Sequence, residues 1–447
     1  MIKNCFPISL GLLFALPMFA QNNTQTRLIT LDPGHFHAAL VQKTMLPNLS
    51  PTVYVYAPDG DDLNEHLKRI ESYNNRSQNP TQWKEEVYRG DDFFQRMITE
   101  KKGDVVVMAG NNGKKTEYIY QTVANKMHVL ADKPMCIDAK GYQTLKKAFA
   151  TAQKNNVLLY DIMTERSEIT TLLQRELSQI PSIFGQLEKG SLQNPAVVKE
   201  SVHHFFKYVS GAPLKRPAWF MDVAQQGEGI VDVTTHLVDL VQWAAFPDKI
   251  LNTTDARLLS AKRWPTTMTP KEFEGVTGLS SFPDYLQKDL KDDVLNVFAN
   301  GEIDYTLKGV HAKVKVLWNY SIPEGGDTHY SIMRGTKANL EIRQGKAEKF
   351  IPQLYIKPLR VSDAEIQAAF APLQKKYEGI MLQKQGNEWL VVIPDRYRTG
   401  HEAHFGEVLE RFLEYKAANC LPAWEVPNML VKYHITTQAL EMAKKQK

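Results

Sequence analysis

Two separate segments of the 447-residue chain carry side chains that could move a proton and stabilise charge on oxygen. In the first segment an apolar run ends in Asp132, Lys133 and Pro134. In the second, Asp232 and His236 are four residues apart, a spacing that places both on one face of a helix. An imidazole suits proton transfer, and a nearby carboxylate can orient the ring. These residue types therefore indicate acid–base chemistry, with Lys133 stabilising charge on a reacting oxygen.

Taken singly, these side chains have ordinary explanations. Lys133 could be a surface cation, and Asp232 with His236 could be a surface pair on a helix, which contributes little to stability. We predict instead that the three side chains converge, because a shared reaction requires them in one place.

The loop after the first apolar run, Asp32-Pro33-Gly34-His35-Phe36-His37, is a candidate nucleotide-binding loop. It has a single glycine and is not the G-x-G-x-x-G loop of dinucleotide-binding proteins. A pyrophosphate could still bind the amides of a helix that begins near Phe36. Further along, Asp59 could hold a ribose hydroxyl, or it could be a turn residue in Ala57-Pro58-Asp59-Gly60.

The same loop admits a different chemistry. Leu31 to His35 resembles the opening of the zinc amidases that cut peptidoglycan cross-chains, in which His35 and His37 would be nitrogen ligands. A catalytic zinc also needs a third ligand and a carboxylate base, and nothing in the following stretch fixes either. We therefore expect no metal site, and the plainest alternative is that both histidines line the loop without a ligand role.

Alternating strand and helix patterns must position these residues. Residues 25–165 alternate short β-branched runs with helical stretches, which predicts βαβ units, a parallel sheet and helices on both of its faces. Ligands bind such doubly wound sheets beyond the carboxyl ends of the strands. The predicted strands are Arg27–Leu31, Thr52–Tyr56, Asp104–Met108, His128–Leu130 and Val157–Tyr160, and the predicted helices include Ala38–Leu46, Asp61–Tyr73, Asp91–Glu100, Thr116–Asn125 and Ala139–Asn155.

This arrangement predicts which loops share the ligand crevice. Gly34, His35 and Phe36 follow the first strand, and Asn111 and Asn112 follow the strand that ends at residue 108. Because both loops leave the carboxyl ends of parallel strands, we expect them to lie side by side.

The second part of the chain has a different texture. A helix is predicted over Ile169–Leu177, and later segments alternate like strands of a sheet with one buried face. These segments are Val197–Tyr208, Ala256–Arg263, Leu295–Ala299, Glu302–Leu307, Lys313–Tyr320, His329–Met333 and Ala338–Arg343, followed by the predicted helices Ala364–Lys376, Glu402–Asn419 and Asn428–Lys444. The fold class is α/β plus α+β: a Rossmann-like doubly wound parallel sheet over 21–165, then a mostly antiparallel sheet domain with C-terminal helices over 166–447.

Residues 1–20 are organised as a targeting segment. Lys3 precedes an almost wholly apolar run from Phe6 to Phe19, which is typical of a secretory signal peptide and short for a transmembrane span. We predict cleavage after Ala20, with an uncleaved anchor as the alternative, and no membrane span thereafter. The protein is then exported, periplasmic or secreted. The formal charge of only +4 gives no strong field of one sign, so nucleic acid is not an expected partner.

Taken together, the motifs resemble the Gfo/Idh/MocA oxidoreductase family. Ala131-Asp132-Lys133-Pro134 is similar to its Glu-Lys-Pro signature, and residues 227–236 are similar to its glycine-rich turn and Asp-x-x-x-His helix. Residues 215–220 resemble the segment before that helix, and Gly400 to Phe405 resembles the extended C-terminal domain of exported members. Two departures are Asp132, in place of the usual glutamate, and the nucleotide loop without its other glycines.

The resemblance implies an NAD- or NADP-dependent oxidoreductase, with NAD preferred, that transfers hydride at a carbinol carbon of a sugar or glycoside. In this scheme His236 is the general base, Lys133 stabilises charge on oxygen, and Asp232 holds the imidazole. The implied cofactor-binding residues are Gly34, His35, Phe36, Asp59, Asn111, Asn112, Lys133 and Pro134.

Known relatives include dehydrogenases and also glycosidases that oxidise, eliminate and re-reduce with one retained cofactor. Free NAD is scarce outside the cytoplasm, which favours a retained cofactor. A second hypothesis is a non-catalytic carbohydrate-binding protein whose nucleotide site has decayed, and the zinc amidase is a third. The expected partner is a small carbohydrate, and a homo-oligomer is compatible with the sequence.

Overall fold

The structure is a computed structural model that describes residues 25–209, 212–321 and 326–446. The predicted signal peptide lies outside these residues. Within them, no helix combines the length and the apolar character needed to cross a membrane.

The first part of the chain alternates strands and helices. They are β1 (Thr26–Leu31), α1 (His37–Leu40), β2 (Leu49–Ala57), α2 (Asp61–Asn75), β3 (Lys84–Arg89), α3 (Phe93–Glu100), β4 (Val105–Met108), α4 (Asn112–Ala124), β5 (His128–Asp132), α5 (Ala139–Asn155) and β6 (Leu159–Ile162). The strands are parallel, in the order β3-β2-β1-β4-β5-β6. This is the Rossmann-like doubly wound order, and its ligand crevice lies where the order reverses, between β1 and β4.

The second part begins with α6 and forms a large mixed sheet. Its elements are α6 (Ile169–Ser178), β7 (Val197–His204), β8 (Tyr208–Val209), β9 (Ala212–Pro213), α7 (Thr234–Ala245), β10 (Ala256–Met268), α8 (Pro270–Thr277), β11 (Leu290–Lys291), β12 (Val294–Leu307), β13 (Val310–Asn319), β14 (Thr328–Arg334), β15 (Ala338–Arg343), β16 (Gln353–Pro358), α9 (Asp363–Lys376), β17 (Met381–Gln385), β18 (Glu388–Val392), α10 (His401–Ala418) and α11 (Glu425–Lys445). The strand order is β10-β12-β13-β7-β14-β15-β16-β18-β17, with β11 paired to β12. Strands β7 and β13 are parallel and their described neighbours are antiparallel, so the predicted fold class is confirmed.

The two C-terminal helices pack against both parts of the molecule. Phe405 and Phe412 of α10 and Tyr433 of α11 belong to the apolar core around the parallel sheet. Val431 and Ile435, also on α11, belong to the core beneath the mixed sheet. The segment 166–447 therefore contributes to both cores.

Several predicted element bounds are wrong. The helix predicted over Ala38–Leu46 ends at Leu40, well before Pro47, a residue that cannot continue a helix. Strand β3 was not predicted because it is an edge strand whose side chains are mostly exposed and polar, so its sequence lacks an apolar alternation. Strands β16, β17 and β18 were missed as well.

The two strands predicted over Leu295–Ala299 and Glu302–Leu307 are one long strand, β12. Asn300-Gly301 resembles a turn in sequence, but here the strand passes close to the glycine-rich segment before α7. A Cβ added to Gly229 would lie 1.7 Å from the carbonyl oxygen of Ala299. The glycine therefore allows the backbone of this segment to pack directly on the sheet.

Candidate active site

A cavity of about 500 Å³ lies where the ends of β1 and β5 face the mixed sheet. Lys133, Asp232 and His236 all line it, so the structure brings the three predicted catalytic side chains together. The loop after β1 contributes one wall. The further titratable and aromatic lining residues include Glu165, His203, Lys207, Arg216, Phe220, Trp318, Asp327, His329, His401 and His404.

The spacing of Asp232 and His236 predicted that these two side chains pair. In the structure Asp232 pairs with Lys133 instead. Lys133 Nζ donates to Asp232 Oδ1 at 2.7 Å, and Gln226 Nε2 donates to Asp232 Oδ2 at 2.9 Å. Asp232 lies in the turn before α7, which begins at Thr234, so the helical i,i+4 geometry does not apply. The carboxylate therefore positions the Lys133 ammonium, and the expectation that it orients His236 is wrong.

His236 is buried, with 8% of its surface exposed, and it faces the cavity. Its Nδ1 has no hydrogen-bond partner among the described residues. Burial, together with the positive charge of Lys133, lowers the pKa of His236 to about 4. The ring is therefore neutral near pH 7 and can accept a proton.

The loop after β1 places two imidazoles against a carboxylate. His37 Nδ1 lies 2.9 Å from Asp132 Oδ2, and His35 Nδ1 lies 4.0 Å from the same oxygen. Burial is the main cause that lowers the pKa of both histidines well below 6.5, so both rings are neutral. The sequence near this loop contains no carboxylate that could be assigned to the two histidines. The structure supplies one, Asp132, from the end of β5.

A second imidazole–carboxylate pair was missed by the sequence analysis. His401, at the start of α10, has its Nδ1 3.3 Å from Glu165 Oε1. Burial opposes ionisation of Glu165, but the hydrogen bond and charge of His401 outweigh it and lower the Glu165 pKa below its ordinary value. The sequence analysis singled out Gly400 to Phe405 only as a resemblance to a C-terminal domain. Nothing in that segment indicated that α10 packs against the first sheet.

The mixed sheet and the segments after β7 and β9 contribute a wall of polar and aromatic side chains. His203 and Lys207 surround Asp327, at 3.1 Å and 2.6 Å. The buried guanidinium of Arg216 lies over the rings of Phe220 and Trp318, and burial lowers its pKa to about 10. This wall thus presents aromatic faces beside hydrogen-bond donors.

The segment 219–226 covers the end of the crevice at which the sequence predicts a nucleotide. A Cβ added to Gly34 would lie 2.9 Å from Trp219 Cζ2 and 2.8 Å from Asp62 Oδ2. The indole Nε1 of Trp219 donates to Asp62 Oδ2 at 2.8 Å. The single glycine of the loop therefore accommodates an indole ring in this structure.

The two asparagines after β4 also contact this segment. Asn111 Nδ2 donates to Gln225 Oε1 at 2.8 Å, and Asn112 Nδ2 donates to the carbonyl of Gln226 at 2.7 Å. The loops after β1 and β4 are adjacent, since the amide of His35 donates to the carbonyl of Ala109 at 3.1 Å. The two loops therefore lie side by side, as predicted. The side-chain amides of Asn111 and Asn112 are hydrogen-bonded to Gln225 and Gln226.

The remaining predicted cofactor residues differ in whether they line the cavity. Asp59 is ion-paired with Arg89 at 2.6 Å, is largely exposed and does not line the cavity. Phe36 lines the cavity and stacks on His35, with ring centroids 4.7 Å apart. Pro134 follows Lys133 at the end of β5, and the peptide bond between them is cis.

Comparison with known families decides the assignment. Residues 61–160 match the model "Oxidoreductase family, NAD-binding Rossmann fold", and residues 173–444 match "Putative oxidoreductase C terminal domain". The chain belongs to the Gfo/Idh/MocA oxidoreductase family. The first part of this Gfo/Idh/MocA protein is thus an NAD-binding Rossmann domain, as the resemblance implied.

Solved structures agree with the family. An oxidoreductase structure from Parabacteroides merdae has 55% identity to this Gfo/Idh/MocA protein, covers 95% of this chain and 98% of its own, and has a TM-score of 0.93. Levoglucosan dehydrogenase, solved with NADH and levoglucosan, has 12% identity, coverages of 95% and 98%, and a TM-score of 0.60.

KijD10, a 3-ketoreductase from Actinomadura kijaniata solved with NADP, has 12% identity, coverages of 91% and 95%, and a TM-score of 0.56. Levoglucosan dehydrogenase and KijD10 share the fold alone. Among functionally curated proteins, none matches this chain.

A nicotinamide fits one end of the crevice. Lys133 at the end of β5 and His236 line the cavity there, and the buried Nδ1 of His236 has no hydrogen-bond partner in the part of the chain that the structure describes. At the other end, a pyrophosphate on the amides after Gly34 would require Trp219 to move. With the family assigned, the zinc amidase hypothesis loses the resemblance on which it rested.

Proposed function

We propose that this protein oxidises a carbinol carbon of a sugar or glycoside with NAD or NADP. The observation that carries the proposal is the Lys133–Asp232 ion pair, which shares one cavity with a neutral His236 whose Nδ1 has no hydrogen-bond partner among the described residues. A dehydrogenase needs a cation near the reacting oxygen and a neutral base near its proton, and this constellation supplies both.

The chain's own residues have separate tasks in this reaction. His236 takes the hydroxyl proton, and Lys133 stabilises the negative charge that develops on oxygen as the carbonyl forms. Asp232 holds the ammonium through its 2.7 Å contact. A nicotinamide bound in the crevice would supply the acceptor for the hydride of the substrate carbon.

The walls of the cavity favour a carbohydrate. Phe220 and Trp318 contribute apolar rings, and the Lys207 ammonium beside them has three N–H donors, one of which it gives to Asp327. Sugars present both C–H faces and hydroxyl groups, so a mixed wall of this kind suits them. Levoglucosan dehydrogenase, which shares the fold, was solved with a carbohydrate bound.

The proposal includes export and a retained cofactor. The apolar run before residue 20 supports export to the periplasm or beyond. Outside the cytoplasm NAD is scarce, so one cofactor that is reduced and reoxidised within a glycosidase cycle suits this location better than a diffusing one.

The test begins with the wild-type full chain. Absorbance of the supernatant after denaturation shows whether a nucleotide is retained. A panel of free sugars and glycosides is then assayed for net reduction of added NAD and NADP, and for aglycone release without net reduction. Turnover by either measure supports the proposal, and nucleotide binding without turnover of any class of sugar contradicts it.

A non-catalytic carbohydrate-binding protein is the second candidate. The observation that favours it is the position of Trp219 against Gly34, where a pyrophosphate would lie. In that case calorimetry should detect binding of a sugar but no binding of NAD or NADP, even at millimolar concentration.

A further inference from the structure

The loop that departs from the family's glycine-rich pattern carries a His-x-His sequence, His35 and His37, directly after its single glycine. Glycines in that position let a backbone approach phosphate, whereas imidazoles are ligands for transition metals. In the structure both rings line the cavity. The side-chain exposures of His35 and His37 are only 15% and 9%.

We propose that His35, His37 and Asp132 form a binding site for a divalent transition-metal ion of the zinc class. One ligand atom from each of the three residues lies within 4.8 Å of the others. Ligands about 2.0–2.2 Å from a tetrahedral ion lie about 3.3–3.6 Å from one another. The separations of 2.9 Å and 4.0 Å to Asp132 Oδ2 bracket that range, and a bound ion would replace the hydrogen bond between His37 Nδ1 and Asp132 Oδ2.

The chemical state of the cluster suits a metal. Two nitrogen ligands and one carboxylate leave a position open toward the cavity, as in catalytic zinc sites. Asp232 offsets the nearby charge of Lys133 through their ion pair, so the ammonium does not stand alone beside the proposed ion.

Neighbouring groups fix the ligands in place. Lys115 Nζ donates to the backbone carbonyl of Asp132 at 3.0 Å, which anchors the end of β5. The ring of Phe405 packs against His37 with centroids 4.6 Å apart. Phe36 stacks on His35. Such supporting contacts orient metal ligands in known sites.

The proposal does not depend on the proposed sugar oxidation, and its test uses metals and no substrate. Full-length protein without an affinity tag is treated with a chelator, dialysed and titrated with Zn²⁺ by calorimetry and with Co²⁺ by visible absorption. We expect one ion per chain and a four- or five-coordinate cobalt spectrum. Because the ligand binds the folded state, Zn²⁺ should also raise the melting temperature.

Three variants locate the site. His35→Gln and Asp132→Asn should each weaken binding by at least about 10-fold and remove the melting shift. His434→Gln, a matched loss of one partly exposed imidazole on α11, should leave both unchanged. Circular dichroism verifies the fold of each variant.

The proposal is overturned if wild-type protein binds neither ion stoichiometrically, or if the cobalt spectrum is that of a six-coordinate surface complex. It is also overturned if His401→Gln abolishes binding while folded His35→Gln does not, which would move the site to α10. If both ligand variants fail to fold, the wild-type stoichiometry and cobalt spectrum still decide between a site and none.

Discussion

His236 is the residue on which proton transfer depends in the proposed reaction. His236→Asn should lower kcat by about 10²–10⁴-fold, because no other group would accept the hydroxyl proton with the same geometry. The fold and nucleotide content should change little, since the ring faces a cavity. Steady-state kinetics on a substrate found in the sugar panel provide the measurement. An undiminished rate would rule out His236 as the base.

The same residue sets the expected pH dependence. Its pKa of about 4 lies below the ordinary value of 6.5, so the ring loses its proton at lower pH than a free imidazole. The acidic limb of kcat/KM should therefore fall near pH 4–5 and not near 6.5. His236→Asn should lack this limb. A wild-type limb centred at 6.5 would contradict the assignment.

Lys133 is expected to act in two ways. It stabilises negative charge on the reacting oxygen, and it neutralises the buried carboxylate of Asp232. Lys133→Ala should reduce kcat/KM at least as strongly as His236→Ala, because it removes the cation from the reacting oxygen. It also leaves the buried Asp232 carboxylate without its 2.7 Å partner. The double variant Lys133→Ala with Asp232→Asn should recover stability but not activity, as measured by thermal melting and kinetics. Recovery of activity would show that Lys133 acts only through the fold.

At the scale of an element, the segment 219–226 controls access to the nucleotide end of the crevice. Trp219→Ala should strengthen NAD binding by about 10-fold, because it removes an indole that competes for the loop at Gly34. Trp264→Ala, on β10 outside the cavity, is the matched control and should leave the dissociation constant unchanged. Calorimetry measures both. Weaker binding by Trp219→Ala would show that the indole forms part of the nucleotide site.

Strand β3 carries a carboxylate with a measurable effect on stability. Burial raises the pKa of Glu85 to about 7, its Oε1 accepts a hydrogen bond from Gln42, and its Oε2 has no partner among the described residues. The folded state holds this proton more tightly than the unfolded chain, so stability falls as pH rises from about 4.5 to 7.

Glu85→Gln removes this dependence. We expect the free energy of unfolding to increase by at most about 3 kcal/mol at pH 8 and to change little at pH 4. Urea denaturation at the two pH values provides the measurement. If Glu85→Gln changed the free energy of unfolding equally at pH 4 and pH 8, ionisation of Glu85 would not destabilise the folded state.

At the scale of the whole molecule, a buried charge network joins the two parts. Lys432 Nζ on α11 contacts Asp161 of β6 at 2.7 Å and Asp239 of α7 at 2.9 Å. Arg166 in turn contacts Asp239 and, on α11, Glu425. Because α11 also packs into both cores, we expect a single cooperative unfolding transition.

Lys432→Met should lower the free energy of unfolding by about 3–5 kcal/mol, since it leaves buried carboxylates without their cation. The control on the same helix is Lys444→Met, which removes a 3.8 Å contact of a lysine that is 47% exposed and should cost less than about 1 kcal/mol. Calorimetry also shows whether the transition stays single. Two separate transitions in the wild type would contradict coupling through α11.

The sequence by itself determined the repeating elements and the reactive residue types. The alternation of β-branched runs and helical stretches specified the parallel sheet, because each such pattern is local and has a fixed period. The segments around Lys133, Asp232 and His236 indicated the family because each motif is a short, local stretch of sequence. Edge strands such as β17, whose side chains are mostly exposed, gave no comparable signal.

Only the tertiary structure decided which of these groups meet. Asp232 contacts Lys133 and not His236, although His236 is only four residues away in the chain. The reason is that Asp232 lies in the turn before α7 and not on the helix. Asp132 reaches the His-x-His loop because β1 and β5 end at the same edge of the sheet, although about a hundred residues separate them in the chain. His401 reaches Glu165 because α10 folds back on the first sheet. Contacts of this kind depend on the path of the whole chain, which no local period encodes.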